Sequence, residues 1–337
     1  MIEQFMHRIS LAYVPLSWAV DLLPWLRYLP EWVPGAGFKK TARVWRQNAE
    51  DVADLPYNAV RRQMTKGTHR PSYVSSLVDM YSQSSDGGEG VLNPGDELII
   101  KKTAAIMYGG GSDTTSSIMT VFLLAMVLYP DVQKKAQQEI DNLLGSEGRL
   151  PELSDRDQLP YVSALLKECH RWFPIVPMGQ CHVTTEELAY EGYRIPKGAF
   201  LLTARWWFLH DPQVYRCPSS FDPERYMEPR NEPDPTPDQF GYGRRICPGR
   251  FIAPDSLFIT MARMLATFDI DRAVDASGQL LKVDIAGHSG IIDHPRPFPF
   301  AVRPRSEQHI ELIRSSETLY PWEKGDSDLL GSGPMTV

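Results

Sequence analysis

The decapeptide FGYGRRICPG, residues 240–249, places one of the chain's four cysteines behind glycines and arginines. Cys247 precedes Pro-Gly and an apolar run that predicts a buried helix over 250–268. The dipole and free N–H groups of a helix N-terminus stabilise a thiolate. Glycines have no side chain and let a flat cofactor approach the backbone closely. The guanidinium groups of arginines bind carboxylates. Cys247 is therefore a candidate cofactor ligand, with a structural cysteine in a Gly-rich turn as the alternative.

A second polar patch, GGSDTT at 110–115, lies inside the apolar run 98–129, which predicts one long helix stopped by Pro130. Polar groups in a buried helix destabilise it unless they are hydrogen-bonded, so the patch favours a functional role. The alternative is a kinked core helix whose Ser and Thr hydroxyls are satisfied. Gly110 and Gly111 carry no side chain and leave space beside the helix.

Two further segments carry charges at suggestive spacing. KECHR places Glu168 and Arg171 at i, i+3 on one helical face, and FDPERY contributes Arg225. A surface pair at this spacing stabilises a helix by only about 0.2–0.5 kcal/mol, so the spacing alone is weak evidence.

Composition indicates an ordinary globular protein and excludes several other classes. The 337 residues are 42% hydrophobic with a formal net charge of −7 and no basic stripe, which argues against nucleic acid as a partner. The cysteines show no CxxC spacing, which argues against a zinc site and against a disulfide scaffold.

The positioning elements are mostly α-helical, with a small β element. Periodicity predicts helices over 39–64, 71–81, 98–129, 131–144, 161–172 and 250–268. Short strands are predicted around Val183, at 193–195 and at 200–203, an irregular loop over 217–237, and strand-like pieces up to 304. We expect a single domain over 1–304 and a polar, aperiodic, mobile tail over 305–337.

The N-terminal stretch is apolar and rich in tryptophan, but charges and prolines interrupt it before a span of about 20 residues forms. It therefore predicts neither a signal peptide nor a transmembrane helix. Two interpretations stay open: a pair of short core helices, or an amphipathic segment over 9–36 in peripheral contact with a membrane surface.

The residues around Cys247 reproduce the pattern F-x-x-G-x-R-x-C-x-G in one window. The chain thereby resembles the cytochrome P-450 family, in the style of its fungal microsomal members; the matching residues are Phe240, Gly243, Arg245, Cys247 and Gly249. The resemblance implies that Cys247 is the axial thiolate of haem iron (haem b). It also implies that Arg245 holds a haem propionate and that Phe240 shields the sulfur.

The other patches resemble further signatures of the same family. GGSDTT resembles the oxygen-activation motif, with Asp113 and Thr114 as the acid and alcohol pair and with Gly110 and Gly111 leaving room for dioxygen. The E-x-x-R pair and FDPERY imply a buried structural network of Glu168, Arg171 and Arg225. His182 falls where some members place a histidine that donates to a propionate.

The resemblance implies a cytochrome P-450 fold without its N-terminal portion, and a haem-thiolate monooxygenase of secondary metabolism. Its partners would be dioxygen, a hydrophobic small-molecule substrate, and an NADPH-cytochrome reductase at the cytosolic face of the endoplasmic reticulum membrane. Ile106, Met107 and Ile118 on the long helix favour the apolar substrate. The alternatives are a truncated haem-binding remnant without turnover and, ranked last, a haem-responsive sensor that uses Cys247-Pro248.

Overall fold

The computed structural model describes residues 1–14, 17–83, 92–145, 148–288 and 290–326. The α-helices in these ranges are α1 (Ile2–Ala12), α2 (Ala19–Leu22), α3 (Phe38–Thr65), α4 (Tyr73–Gln83), α5 (Pro94–Leu128), α6 (Pro130–Leu144), α7 (Pro160–Trp172), α8 (Arg205–His210), α9 (Thr236–Gln239), α10 (Ala253–Thr267) and α11 (Glu307–Leu319). The strands are β1 (His182–Val183), β2 (Leu188–Tyr190), β3 (Tyr193–Ile195), β4 (Phe200–Leu201), β5 (Phe268–Arg272) and β6 (Phe300–Pro304). The predicted class, mostly α with a small β element, is confirmed.

The chain forms two compact units. The first holds residues 1–113 together with the described C-terminal residues 322–326, and the second holds residues 114–321. In the first unit, α3 packs against α1 and α4. Its small apolar core consists of Tyr57, Val74, Val78 and Ile100. The single domain expected over 1–304 stays a prediction.

Helix α5 begins earlier than the apolar pattern indicated. The side-chain oxygen of Asn93 accepts a hydrogen bond from the backbone N–H of Asp96 at 2.9 Å, which caps the first turn. Pro94 fits that turn because its missing N–H has no helical partner there. The helix ends at Leu128, and Pro130 opens α6 rather than merely stopping α5.

The second unit is built on the C-terminal part of α5. Apolar side chains of this part, among them Val121, Phe122 and Leu124, are fully buried in one cluster with side chains of α6, α7 and α10. By length and hydropathy α5 could cross a membrane, and 44% of its most apolar window is buried inside the protein. Because its C-terminal part forms the main core of the unit, we treat α5 as a core helix.

The β structure consists of three antiparallel pairs in the described ranges. They are β1 with β4, β2 with β3, and β5 with β6. Strand β2 was not predicted, because the sequence indicated strands only around Val183, at 193–195 and at 200–203. The first pair holds His182, one of the predicted site residues, opposite Leu201.

Helix α10 begins later than the predicted residue 250. Pro248–Phe251 forms a 3₁₀ turn, and the α-helix starts at Ala253 with a proline in its first turn. Its buried face carries Leu257, Phe258 and Met261, whereas Ser256 and Thr260 are exposed. The helix is therefore half-buried in its first turns rather than buried all round.

The prediction of an aperiodic tail from residue 305 is wrong for 307–319, which form α11 and pack on α10. Half-buried side chains recur at helical spacing on one face of α11: His309, Leu312, Ile313 and Ser316. Arg305 anchors the start of the helix by donating to Asp141 at 2.9 Å. The rest of the predicted tail, 327–337, lies outside the described residues.

The N-terminal segment forms α1, α2 and a 3₁₀ turn at Pro24–Tyr28. Its short helices match one of the two interpretations, but several large apolar side chains point to solvent. Trp25 is 57% exposed and Trp32 is 83% exposed.

Candidate active site

A cavity of about 360 Å³ lies inside the second unit. Its wall is built from the part of α5 that begins at Thr114, the loop after α7, strand β1, the start of α8, the 239–247 loop and helix α10. Apolar side chains form much of the wall: Ile118, Ile175, Val176, Phe240 and Leu257. Cys247, which is exposed, lines the same cavity.

The loop that presents Cys247 is closed by its own backbone. The N–H of Cys247 donates to the carbonyl of Phe240 at 2.8 Å, so the two ends of the loop lie side by side. Gly241 and Gly243 have φ values of +78° and +63°, in the region that favours glycine. A β-carbon at Gly249 would stand 3.4 Å from the sulfur of Cys247, in ordinary contact.

The structure brings five of the ten predicted catalytic and cofactor-binding residues to this cavity. Thr114, His182, Phe240, Arg245 and Cys247 all line it. Thr115, which was not singled out from the sequence, lines the cavity beside Thr114.

The remaining predicted residues of the GGSDTT segment belong to the first unit. Gly110 and Gly111 lie in the unbroken helix α5, and a β-carbon on either would meet no atom of the described structure within 4 Å. Asp113 is half-buried on the same helix. Their roles stay predictions.

The charge of the cavity wall is positive. Arg205 and Arg245 contribute guanidinium groups, and the described lining residues include no aspartate or glutamate. Burial, with the charge of Arg205 second, lowers the pKa of His170 to about 3, so its imidazole is neutral. The amide nitrogen of Gln239 lies 2.6 Å from Nε2 of this histidine.

The E-x-x-R pair forms the centre of a fully buried network. The guanidinium of Arg171 donates to both carboxylate oxygens of Glu168 at 2.8 Å, and Nε of Arg225 donates to the same two oxygens at 3.0 Å. All three side chains are 0% exposed. The structure therefore brings the three predicted network residues together.

Further groups complete this network. The hydroxyl of Tyr226 donates to Glu168 at 3.0 Å, and Arg225 donates to Glu232 at 2.6 Å. Burial would lower the pKa of Arg225, but the charges and hydrogen bonds of Glu168 and Glu232 raise it above its ordinary value. Burial and the Glu168 charge raise the pKa of Tyr226. Sequence analysis assigned no role to Tyr226 in FDPERY, whereas the structure makes it a member of the network.

A hydrogen bond fastens α5 to a distant loop in the same unit. The hydroxyl of Ser117 lies 2.7 Å from Nδ1 of His294, and the two residues are 177 positions apart. Ser117 is buried one helical turn beyond Thr114. Sequence reasoning missed this pair because no local pattern connects its members.

Gly179 is a sensitive point of the cavity wall. Its φ is +61°, and an added β-carbon would stand 2.6 Å from Oγ1 of Thr203. We expect Gly179→Ala to lose about 1–2 kcal/mol from backbone strain and about 1–3 kcal/mol from overpacking. Chemical denaturation measures the sum.

The matched control is Gly198→Ala, where φ is +83° but a β-carbon would meet no described atom within 4 Å. It should lose only the part of the unfolding free energy that comes from backbone strain. Equal losses in the two variants would show that the contact with Thr203 is easily relieved.

The chain is similar to known proteins over most of its length. The family model described as "Cytochrome P450" matches residues 1–284. Cytochrome P450 monooxygenase CLM2 of Gibberella zeae is 47% identical over 98% of this chain. Multifunctional cytochrome P450 monooxygenase af510 of Aspergillus fumigatus is 46% identical over 100% of it, and O-methylsterigmatocystin oxidoreductase of Aspergillus flavus is 38% identical over 96%.

Among solved structures, a zebrafish cytochrome P450 determined with abiraterone matches with a TM-score of 0.59 and 27% identity. The match covers 77% of this chain and 65% of the zebrafish chain. The chain spans 62% of the length of each of the first two fungal relatives and 60% of the third. The family match over residues 1–284, the fungal relatives and the structural neighbour all point to the same family, and so do the residues gathered around Cys247. The chain belongs to the cytochrome P450 family.

Proposed function

We propose that this chain provides the haem-thiolate centre of a monooxygenase. The observation that carries the proposal is the exposed thiol of Cys247 in an apolar cavity whose described wall contains arginines and no carboxylate. This donor set fits haem b: a sulfur ligand for the iron, cationic groups for the propionates, and apolar walls for the flat ring.

When bound, haem would supply the chemistry in which dioxygen, two electrons and two protons yield one oxygen atom inserted into a substrate C–H bond and one water. Cys247 would ligate the iron, and Arg245 and His182 would hold the propionates. The hydroxyl of Thr114 and the carboxyl of Asp113 would deliver protons, while Gly110 and Gly111 would keep space open beside them. The apolar wall would exclude water from the reacting groups.

A hydrophobic small molecule is the substrate class that the cavity favours. Ile118, Ile175 and Val176 present hydrocarbon to it. Of the two other residues that suggested this class, Ile106 and Met107, both are exposed on the first unit. They therefore give the substrate proposal less support than the cavity wall does.

The first experiment is the visible spectrum of the reduced protein under carbon monoxide, followed by turnover with NADPH and a cytochrome reductase. A thiolate-type Soret band and substrate-dependent product are expected. The same band without product for any of a panel of apolar substrates would support a haem-binding remnant instead. Absence of haem uptake would contradict both.

By family resemblance, we also propose the cytosolic face of the endoplasmic reticulum membrane as the location, with peripheral contact through residues 9–36. Exposed apolar side chains support the contact: Leu22, Leu23, Trp25, Tyr28 and Trp32. Aromatic side chains of this kind favour the depth of lipid headgroups.

The double variant Trp25→Ser with Trp32→Ser is expected to weaken binding to phosphatidylcholine vesicles several-fold, as measured by co-sedimentation. Trp322→Ser is the control, because Trp322 is 91% exposed but lies outside the N-terminal segment. An equal effect of both changes would contradict a specific contact.

A further inference from the structure

Arg205 is a buried cation with an unused donor. It opens α8, lines the cavity and is only 6% exposed. Its Nη2 donates to the carbonyl of Gln239 at 2.6 Å. Its Nε is buried and meets no hydrogen-bond acceptor in the described part of the chain.

The charge of Arg205 is also only partly compensated. Among the described residues no carboxylate forms an ion pair with it, and Asp238, which attracts it from farther away, accepts a hydrogen bond from the hydroxyl of Tyr242. Burial lowers the pKa of Arg205, but a guanidinium stays protonated in a protein. A buried charge without a partner is destabilising, so an anion entering the cavity would relieve it.

The chemistry of that anion follows from the donor. A guanidinium with a free Nε–H suits a planar carboxylate better than a spherical ion. Arg245 lines the same cavity, so the wall offers two guanidinium groups, and haem b carries two propionates.

We propose that Arg205 binds a carboxylate of the molecule in this cavity, namely one propionate of haem, as a ligand additional to Arg245 and His182. The inference rests on the proposed function and extends it to a residue outside the decapeptide. In the protein without haem, the buried charge of Arg205 then destabilises the cavity wall. Binding of haem removes this destabilisation.

The test compares binding of haem and of haem dimethyl ester, whose propionates carry no charge. We expect Arg205→Met to weaken haem binding about 10–100-fold, the effect of losing a hydrogen bond to a charged group. Binding of the ester should be unchanged, and Arg205→Lys should fall between. Arg244→Met is the control, because Arg244 is exposed and is absent from the cavity wall.

A second measurement separates this role from a structural one. Without haem, Arg205→Met should unfold at the same or a higher denaturant concentration than wild type, since a buried unpaired charge is gone. A lower midpoint together with equal weakening of haem and its ester would assign Arg205 to the wall alone and overturn the proposal.

The carbon monoxide spectrum distinguishes failure of the inference from failure of the function. If wild type and Arg205→Met show the same thiolate-type band and the same haem affinity, only the assignment of Arg205 falls. If wild type takes up no haem, the proposed function falls and the inference with it.

Discussion

Glu168→Gln is expected to destabilise the second unit by about 3–5 kcal/mol, the effect of breaking a buried ion pair and leaving its partners charged. Arg171 and Arg225 both donate to this carboxylate, and none of the three side chains reaches solvent. Because total stabilities are about 5–15 kcal/mol, the loss would remove a large part of the free energy of unfolding. Guanidinium denaturation followed by far-ultraviolet circular dichroism measures it.

The chain offers a matched control in α11. Glu311 and Arg314 form an ion pair with the same i, i+3 spacing, but their side chains are 70% and 69% exposed. Glu311→Gln should change the unfolding free energy by at most about 1 kcal/mol, as for other surface pairs. Similar losses in the two variants would show that burial adds nothing to the Glu168 network.

The second large effect is expected at Cys247. In Cys247→Ser, the thiolate-type Soret band of the reduced carbon monoxide complex should disappear, since a serine hydroxyl does not replace a thiolate as the axial ligand. Haem affinity should fall as well. Difference spectra at equal protein concentration measure both changes.

Cys181→Ser is the control for Cys247→Ser. Cys181 is also exposed and directly precedes His182 on β1, but it does not line the cavity. Its spectrum should match wild type. A band that survives in Cys247→Ser, or is lost in Cys181→Ser, would place the axial ligand elsewhere and overturn the proposed chemistry.

The placement of residues could be predicted from the sequence where several of them fall within one short window. FGYGRRICPG carries Cys247, Phe240 and Arg245 on a single loop, so neighbours in sequence are neighbours in the cavity. Only the family resemblance predicted that FDPERY and KECHR contact each other. Arg225 and Glu168 are 57 positions apart in the sequence. Without that resemblance, the i, i+3 spacing of Glu168 and Arg171 would have predicted only a weak surface ion pair.

Other features could not be predicted from local sequence patterns. Arg205 stands in TARWWFLH, where a lone arginine beside aromatics looks like an ordinary surface residue, and only its burial and its unused Nε mark it. The apolar face of α11 is diluted by polar residues, so its helical spacing was overlooked. The division of the chain between Asp113 and Thr114 falls inside one continuous helix and leaves no trace in composition.

The hydrogen bond between Ser117 and His294 has a consequence for the order of folding. It closes a chain segment of 177 positions that contains α6, α7, α10 and the Cys247 loop. Closing so long a segment carries a large entropic penalty unless the intervening helices have already packed. We therefore expect this contact to form late, with amide protection around His294 appearing after that of α6 and α7 in pulse-labelled refolding.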